Sequence, residues 1–258
     1  MRGVEIQLGI LLVIYNRACE DSPSCESLRA THQAQVVIVD NSTEENTNAA
    51  YAAKNGFGYI AMGGNVGLAK AYNRGVRYLK EHTSATHVLL LDDDTTPPEE
   101  FFSLMRQAVE NEPTATVFLP RVRDEKGWLS PCRIEGLRVT RIHDPAELTA
   151  QTVTGINSGL VIDLKVFEDY AYDEGYFLDY VDHAFLRDMK KRGAHICVTK
   201  AVLNQRFAAN ARGARKAKKI RFRIFKKDFR RFCGTSFQGR MTAWAVIMRR
   251  RIKLWLSR

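Results

Sequence analysis

Three short polar clusters follow directly on apolar runs in the first hundred residues. They are Tyr15-Asn16-Arg17 after LGILLVI (8–14), Asp40-Asn41-Ser42 after QVVIV (35–39), and Asp92-Asp93-Asp94 after HVLLL (87–91). Three adjacent carboxylates repel one another unless a cation sits among them. Hard oxygen ligands spaced Asp-x-Asp favour Mg2+ or Mn2+, and Mg2+ takes one or two carboxylates together with substrate phosphates. Such an ion also offsets the charge of a departing diphosphate. The plainer account of the run is a solvated acidic turn ahead of a helix N-terminus, which welcomes carboxylates anyway.

The elements that must position these clusters are legible as alternating types. Strands are expected near 8–14, 35–39, 57–60 and 87–91, each a continuous apolar run of the kind found where both faces of a parallel sheet are covered. Between them lie the Ala-rich segment 44–55 and the segment 67–80, where Leu68, Tyr72, Val76 and Leu79 recur at helical spacing. The order β-α-β-α-β-α-β implies a doubly wound α/β domain. Ligands of such sheets bind at the carboxyl ends of the strands, so all three clusters should meet on one edge. After the acidic run, Thr96 is placed to N-cap a helix with Pro97 in its first position and Glu99 completing a capping box. Phe101 or Phe102, Met105 and Val109 would form its buried face. Further strands are expected at 116–119, 159–162 and 195–198, a loop or hairpin at 127–136, and a helix at 181–193 with Gly193 at its C-cap.

At 258 residues the chain suits one large domain, or one domain plus an appendage. Residues 211–258 hold 17 Lys or Arg and one acid, Asp228, for a net charge of +16, whereas residues 1–210 carry a net −6. The expected division is a catalytic domain over 1–210 and a basic amphipathic helical region over 211–258. That region seeks an anionic partner. Phe222, Phe225, Phe229 and Phe232 fall near one helical face, and Trp244, Met248, Ile252 and Trp255 are interleaved with Arg249, Arg250 and Lys253. Aromatics on one side and cations on the other describe an interfacial helix on anionic lipid. The alternative is a helical appendage packed on the catalytic domain with a solvated basic face. No nucleic-acid module is recognisable, so nucleic acid is not expected as a partner. The five cysteines are odd in number and lack a CxxC pair, which argues against a zinc site or disulfide framework. The longest apolar runs fall short of the roughly 18 residues needed to span a bilayer. The N-terminal apolar stretch reads as a first strand rather than a signal peptide. The cysteine usage agrees with a reducing compartment, so a cytoplasmic location is expected.

Asp92-x-Asp94-x-Thr96 also fits the DxDxT pattern of haloacid-dehalogenase-like phosphatases, in which the first Asp is a nucleophile. Three strands precede it here, and the chain has no Gly-Asp pair to complete that family's metal site. A different series runs through the chain in order: VIYNR (13–17), VIVDNST (37–43), GNVGLAKAYNRGV (64–76), LLLDDDT (89–95), NSGLVI (157–162) and FLDYVDHAFLRDMKKRG (177–193). It resembles glycosyltransferase family 2, and most of all the bacterial rhamnosyltransferase-type members that build surface polysaccharides. The resemblance covers roughly residues 6–207.

That resemblance implies a GT-A fold, a nucleotide-diphospho-sugar donor, a divalent metal (Mg2+ or Mn2+) and inversion at the anomeric carbon. Tyr15, Asn16 and Arg17 would line the nucleotide pocket, and Asp40 would accept from a pyrimidine N–H. Asn65, Gly67, Lys70 and Asn73 would help position the donor, although a capped core helix accounts for most of that segment. Asp92 and Asp94 would be the metal pair, with Asp94 the direct ligand, while Asp93 would touch the ribose or be solvated. Asp182 is preferred as the base, with Asp179 the alternative and a helix N-cap the plain structural role. Asn157, Ser158, Gly159 and His183 would lie on the acceptor side, His183 otherwise being a helix-surface residue. Two features depart from the family's pattern. Asp182 and Arg187 are five steps apart, one fewer than in many relatives. Asn204-Gln205 stands where many have a His, which puts a third metal ligand there in doubt. The resemblance favours dTDP-rhamnose as donor and a glycan or lipid-linked glycan acceptor, at the cytoplasmic face of the inner membrane. UDP-galactose, UDP-galactofuranose or another UDP-hexose, or a non-catalytic sugar-nucleotide-binding role, are the other readings.

Overall fold

A computed structural model describes residues 5–31, 35–125, 127–205 and 215–256. The elements run β1 (Leu8–Ile14), α1 (Pro23–Ala30), β2 (Val36–Asp40), α2 (Asn48–Lys54), β3 (Gly58–Ala61), α3 (Leu68–His82), β4 (His87–Asp92), β5 (Thr95–Thr96) and α4 (Phe101–Asn111). They continue with β6 (Val117–Asp124), β7 (Gly127–Ser130), β8 (Cys132–Glu135), β9 (Arg138–Thr140), β10 (Val153–Thr154), β11 (Val161–Asp163), α5 (Val181–Lys191), β12 (Ile196–Gln205), α6 (Arg215–Cys233) and α7 (Phe237–Leu256).

The main sheet is ordered β3-β2-β1-β4-β11-β6-β12-β5, with β7 hydrogen-bonded to β6. β1 to β4 pair in parallel, as do β6 and β12, while β11 is antiparallel to both its neighbours. Side chains alternate across a strand, and β1 divides its residues accordingly. Leu11 and Val13 join a core with α3, α5 and α6, whereas Ile10, Leu12 and Ile14 join one with α1 and α4. Both faces are therefore covered, which is why the strands read as unbroken apolar runs. β8, β9 and β10 form a separate three-stranded sheet.

Several expectations are corrected. Thr96 does not cap a helix: it lies in β5, paired with Asn204, and α4 begins at Phe101 with no side-chain cap. Pro98 explains this, because a residue preceding proline is steered away from helical geometry and Pro97 cannot start the helix. Phe101, Phe102, Met105 and Val109 are nonetheless buried as expected. The stretch 127–136 holds two strands that do not pair with each other, β7 joining β6 and β8 joining β9 and β10, and α1 was not foreseen. The aromatic row of α6 faces inward: Phe225, Phe229 and Phe232 are at most 4% exposed and belong to the α3-side core. For α6 the packed appendage is the arrangement found, not an aromatic face offered to lipid.

Candidate active site

The ends of β1, β2 and β4 converge as the topology requires. Asn16 ties the first two loops together, its N–H donating to Ser42 Oγ (2.9 Å) and its Oδ1 accepting from Thr43 N (2.8 Å). The Tyr15 N–H donates to Asp93 Oδ2 (3.4 Å), and Arg17 Nε lies 3.6 Å from the same oxygen. Asp93 is thus committed to joining the β1 and β4 ends.

The backbone of the acidic run is held from beneath by the start of α1. Ser22 Oγ caps α1 and also donates to Asp93 O (2.8 Å). Ser24, wholly buried, has its Oγ within hydrogen-bond reach of Asp92 O (2.5 Å) and Thr95 O (2.6 Å). On the other side, Gly159 N donates to Leu90 O (2.7 Å), which sets Ser158 against the run. Ser158 Oγ lies 3.1 Å from Thr95 Oγ1 and hydrogen-bonds the Asp92 carboxylate. Gly159 has φ 77°, and a Cβ there would collide with Leu203, Phe101 and Pro120. Asn157 and Ser158 are buried beneath the acidic run rather than open to an acceptor, and Asn157 Oδ1 has no partner.

Burial and the adjacent Asp94 push the Asp92 carboxyl up to about 7, and burial also raises Asp93 and Asp94. Arg17 offsets part of this at Asp93 and Asp94, but the neighbouring charges that shift Asp92 most are all carboxylates. Asp94 takes a hydrogen bond from Gln205, whose Oε1 is buried without a partner. Among the described residues no three His, Cys, Asp or Glu side chains are grouped to hold a metal by themselves. Two carboxylates and one orphaned amide oxygen instead fit a hard cation that takes its other ligands from phosphates and water. β12 brings Gln205 there by pairing with β5.

Asp40 is 4% exposed. Burial raises its carboxyl, but hydrogen bonds from Ser42, Asn48 and Tyr59 outweigh that and hold it below the ordinary carboxylate range. Asn48 Nδ2 and Tyr59 OH reach Oδ2 at 3.0 and 2.9 Å, and Ser42 N reaches Oδ1 at 2.9 Å. Asn41, not Asp40, lines the cavity, and it clasps Asn65 (Nδ2 to Oδ1, 3.1 Å). Gly67, at φ 94°, lets the chain pass so close to Phe177 that a Cβ would meet its carbonyl oxygen at 2.9 Å. Asn73 is turned away from the donor edge and braces Tyr172 through both backbone groups (2.9 and 2.8 Å). Lys70 is exposed and not among the cavity-lining residues.

The two acids before α5 differ in their engagement. Asp179 is gripped by both terminal nitrogens of Arg221 on α6, Nη2 at 2.7 Å from Oδ1. Asp182 is not the N-cap: Tyr180, at φ 64°, holds that place, and Asp182 Oδ1 accepts from His183 N (2.7 Å). Asp182 lies near enough to Asp92 and Tyr72 for its charge to help raise both. His183 is not a surface residue. Its Nδ1 lies 2.9 Å from Thr154 Oγ1, and its ring packs beside Tyr180.

Sequence reasoning missed α6's part in the site. Asp228 is wholly buried and accepts from the N–H groups of Phe177, Leu178 and Asp179 (3.1, 2.8 and 2.9 Å). Its isolation as the single acid of a basic region was the available signal. A cavity of ≈ 980 Å³ lies between the strand ends and the two C-terminal helices, lined by Tyr15, Asn65, Asp92, Asp94, Gln205 and Arg250 among others.

A family model, glycosyl transferase family 2, matches residues 10–171. Over 179 residues the chain is 30% identical to the dTDP-rhamnosyl transferase RfbF of Shigella flexneri, covering 67% of this chain and 59% of that protein. Among solved structures, residues 1–349 of S. aureus TarS superpose with a TM-score of 0.56 at 16% identity, covering 88% of this chain and 64% of that one. The same segment in complex with UDP gives 0.57 at 14% identity over the same shares. The mannosyltransferase PcManGT from Pyrobaculum calidifontis, in complex with GDP-Man and Mn2+, gives 0.57 at 13%, covering 95% and 70%. The chain thus spans less than two thirds of the length of RfbF and of that TarS segment. At such identities the structural likeness speaks for the fold alone, which is that of GT-A glycosyltransferases.

Proposed function

Since this chain belongs to glycosyl transferase family 2, we propose that it moves a sugar, rhamnose from dTDP-rhamnose in the first instance, onto a hydroxyl of a glycan or lipid-linked glycan during cell-surface polysaccharide synthesis. The observation that carries this reading is the convergence of the Asp92–Asp94 run and Gln205 with Tyr15, Asn41 and Asn65 on one cavity. The likeness to a dTDP-rhamnosyl transferase supports the choice of donor. A UDP-hexose is the second reading, favoured by the UDP complex of a protein of like fold.

In the proposed transfer, Asp182 takes the proton of the acceptor hydroxyl as that oxygen attacks the anomeric carbon from the face opposite the diphosphate. The bond from that carbon to the diphosphate oxygen breaks, its electron pair leaves with the nucleoside diphosphate, and the configuration inverts. Asp179 is the less available of the two because Arg221 occupies both its oxygens. Asp94 and Asp92 would hold a divalent cation with Gln205 Oε1 beside them, and when bound it would neutralise charge on the leaving diphosphate. Asp40, whose oxygens are taken by Ser42, Asn48 and Tyr59, would shape the β2 end rather than meet the base, and Tyr15 would pack on the nucleotide. The acceptor's lipid anchor would place the work at the cytoplasmic face of a membrane.

Calorimetric titration with dTDP, UDP, GDP and ADP, with and without Mn2+, tests this. Metal-dependent binding of dTDP or UDP is expected, weakened by Asp94→Ala and by Gln205→Leu. Asp182→Asn should keep that binding and lose turnover by roughly 10²–10⁴-fold. Folded protein that binds none of the four nucleotides would refute the assignment.

A further inference from the structure

α7 is amphipathic in a way the catalytic site does not use. Gly239, Ala243 and Ile247 pack inward, and Arg250 stacks 3.9 Å from the centre of the Phe225 ring. At ~100° per residue, Phe237, Met241, Trp244, Met248, Ile252 and Trp255 fall within about 80° of one another, on a face well away from that packed side. Phe237 is 74% exposed, Trp244 and Trp255 are 62% exposed, and Met241 and Ile252 at least half exposed. Arg240 and Arg251 flank the stripe on one side, and Arg249 and Lys253 on the other. α7 contains no acid, and Asp228, the one acid of residues 211–258, is buried. No helix among the described residues is long and apolar enough to cross a membrane.

We propose that the Phe237–Trp255 face of α7 is a docking surface for an anionic lipid bilayer, lying in its plane with the aromatic stripe among the acyl chains and the flanking cations on the headgroups. Charge selects this occupant. A second copy would bring two basic helices together with no counter-charge, whereas anionic headgroups supply it. The aromatic row of α6, which the sequence offered for the same task, is consumed in the core. Arg250 and Leu254 of α7 also line the cavity. Docking therefore holds the cavity's α7 wall about one helix diameter, ~10 Å, from the headgroups. This rests on the transferase reading in so far as it lets a lipid-anchored acceptor reach the site from the bilayer.

The test is flotation of the full chain with vesicles of phosphatidylethanolamine and phosphatidylglycerol, against vesicles of phosphatidylcholine alone. Wild type is expected to float with the anionic vesicles only, and brominated acyl chains should quench its tryptophan fluorescence. Trp244→Glu combined with Trp255→Glu, both exposed positions, should cut partitioning about tenfold or more. The double variant should keep metal-dependent nucleotide binding unchanged. No flotation of wild type, equal flotation of the double variant, or absence of quenching by brominated lipid overturns the proposal. So does light scattering that finds a dimer which the double variant dissolves while vesicle binding is unaffected. Failure of nucleotide binding in solution would count against the transferase reading, and it would leave the flotation result standing.

Discussion

The Asp40 carboxyl lies below its ordinary range although burial raises it, because Ser42, Asn48 and Tyr59 direct donors at it. Its folded value lies below the ordinary 3.8. The stability it contributes is therefore present above that pH and is lost as pH falls through the folded value. Asp40→Asn removes this term and sets an amide N–H against two donors. The expected result is a loss of about 1–3 kcal/mol near neutral pH and a flatter acid limb when urea midpoints are followed downward in pH. An acid limb as steep as wild type would sink the account. Asp40, Asp92 and Asp94 were legible from sequence because each follows an apolar run directly. Ser24 and Tyr59 were not, since each reaches the site through a long-range contact that no local pattern encodes, and Gln205 stood out only by its place where many relatives have a His. Asn48, eight residues from Asp40, sits at the start of a helix that read only as an Ala-rich stretch.

At the scale of elements, the parallel half of the sheet was readable and the loops between elements were less so. Continuous apolar runs marked β1, β2 and β4 because two helical layers cover them. The start of α4 was misplaced because a capping pattern is local, while the Pro97-Pro98 pair and the pairing of β5 with β12 override it. The loop before α5 shows a larger gap. Residues 177–179 give three N–H groups to Asp228, a contact about 50 residues distant in sequence. That loop leads directly to Asp182, so Asp228 sets the position of the proposed base through the backbone. Asp228→Ala leaves three backbone donors unpaired and should destabilise the fold by about 1–3 kcal/mol or more, the usual loss when a buried donor is left without its acceptor. At a temperature where the variant remains folded, turnover should fall while the nucleotide affinity holds. Equal losses in both would mean that α6 supports the whole cavity rather than this loop.

For the molecule as a whole, the contrast between a −6 body and a +16 C-terminal region suggests that charge holds the two together. Magnitudes argue otherwise. Among the described residues, Arg221–Asp179 and Arg231–Asp173 join α6 to the body as ion pairs, and both arginines are nearly half exposed. Pairs of that kind contribute about 0–1 kcal/mol each and weaken in salt. Phe225, Phe229 and Phe232 are buried against Tyr180 and α5, with ring centres 6.3, 5.0 and 4.8 Å from the Tyr180 ring. Each buried ring is worth roughly 1.5–3 kcal/mol, so the aromatic contact outweighs the charged one severalfold. At 1 M salt the screening length falls to about 3 Å, which removes most of the ion-pair term and leaves the apolar term intact. Hydrogen exchange of the α6 amides should therefore be as slow at 1 M NaCl as at low salt. If those amides instead became freely exchangeable in salt, the C-terminal helices would be an electrostatic attachment, and the cavity wall they supply would come and go with ionic strength.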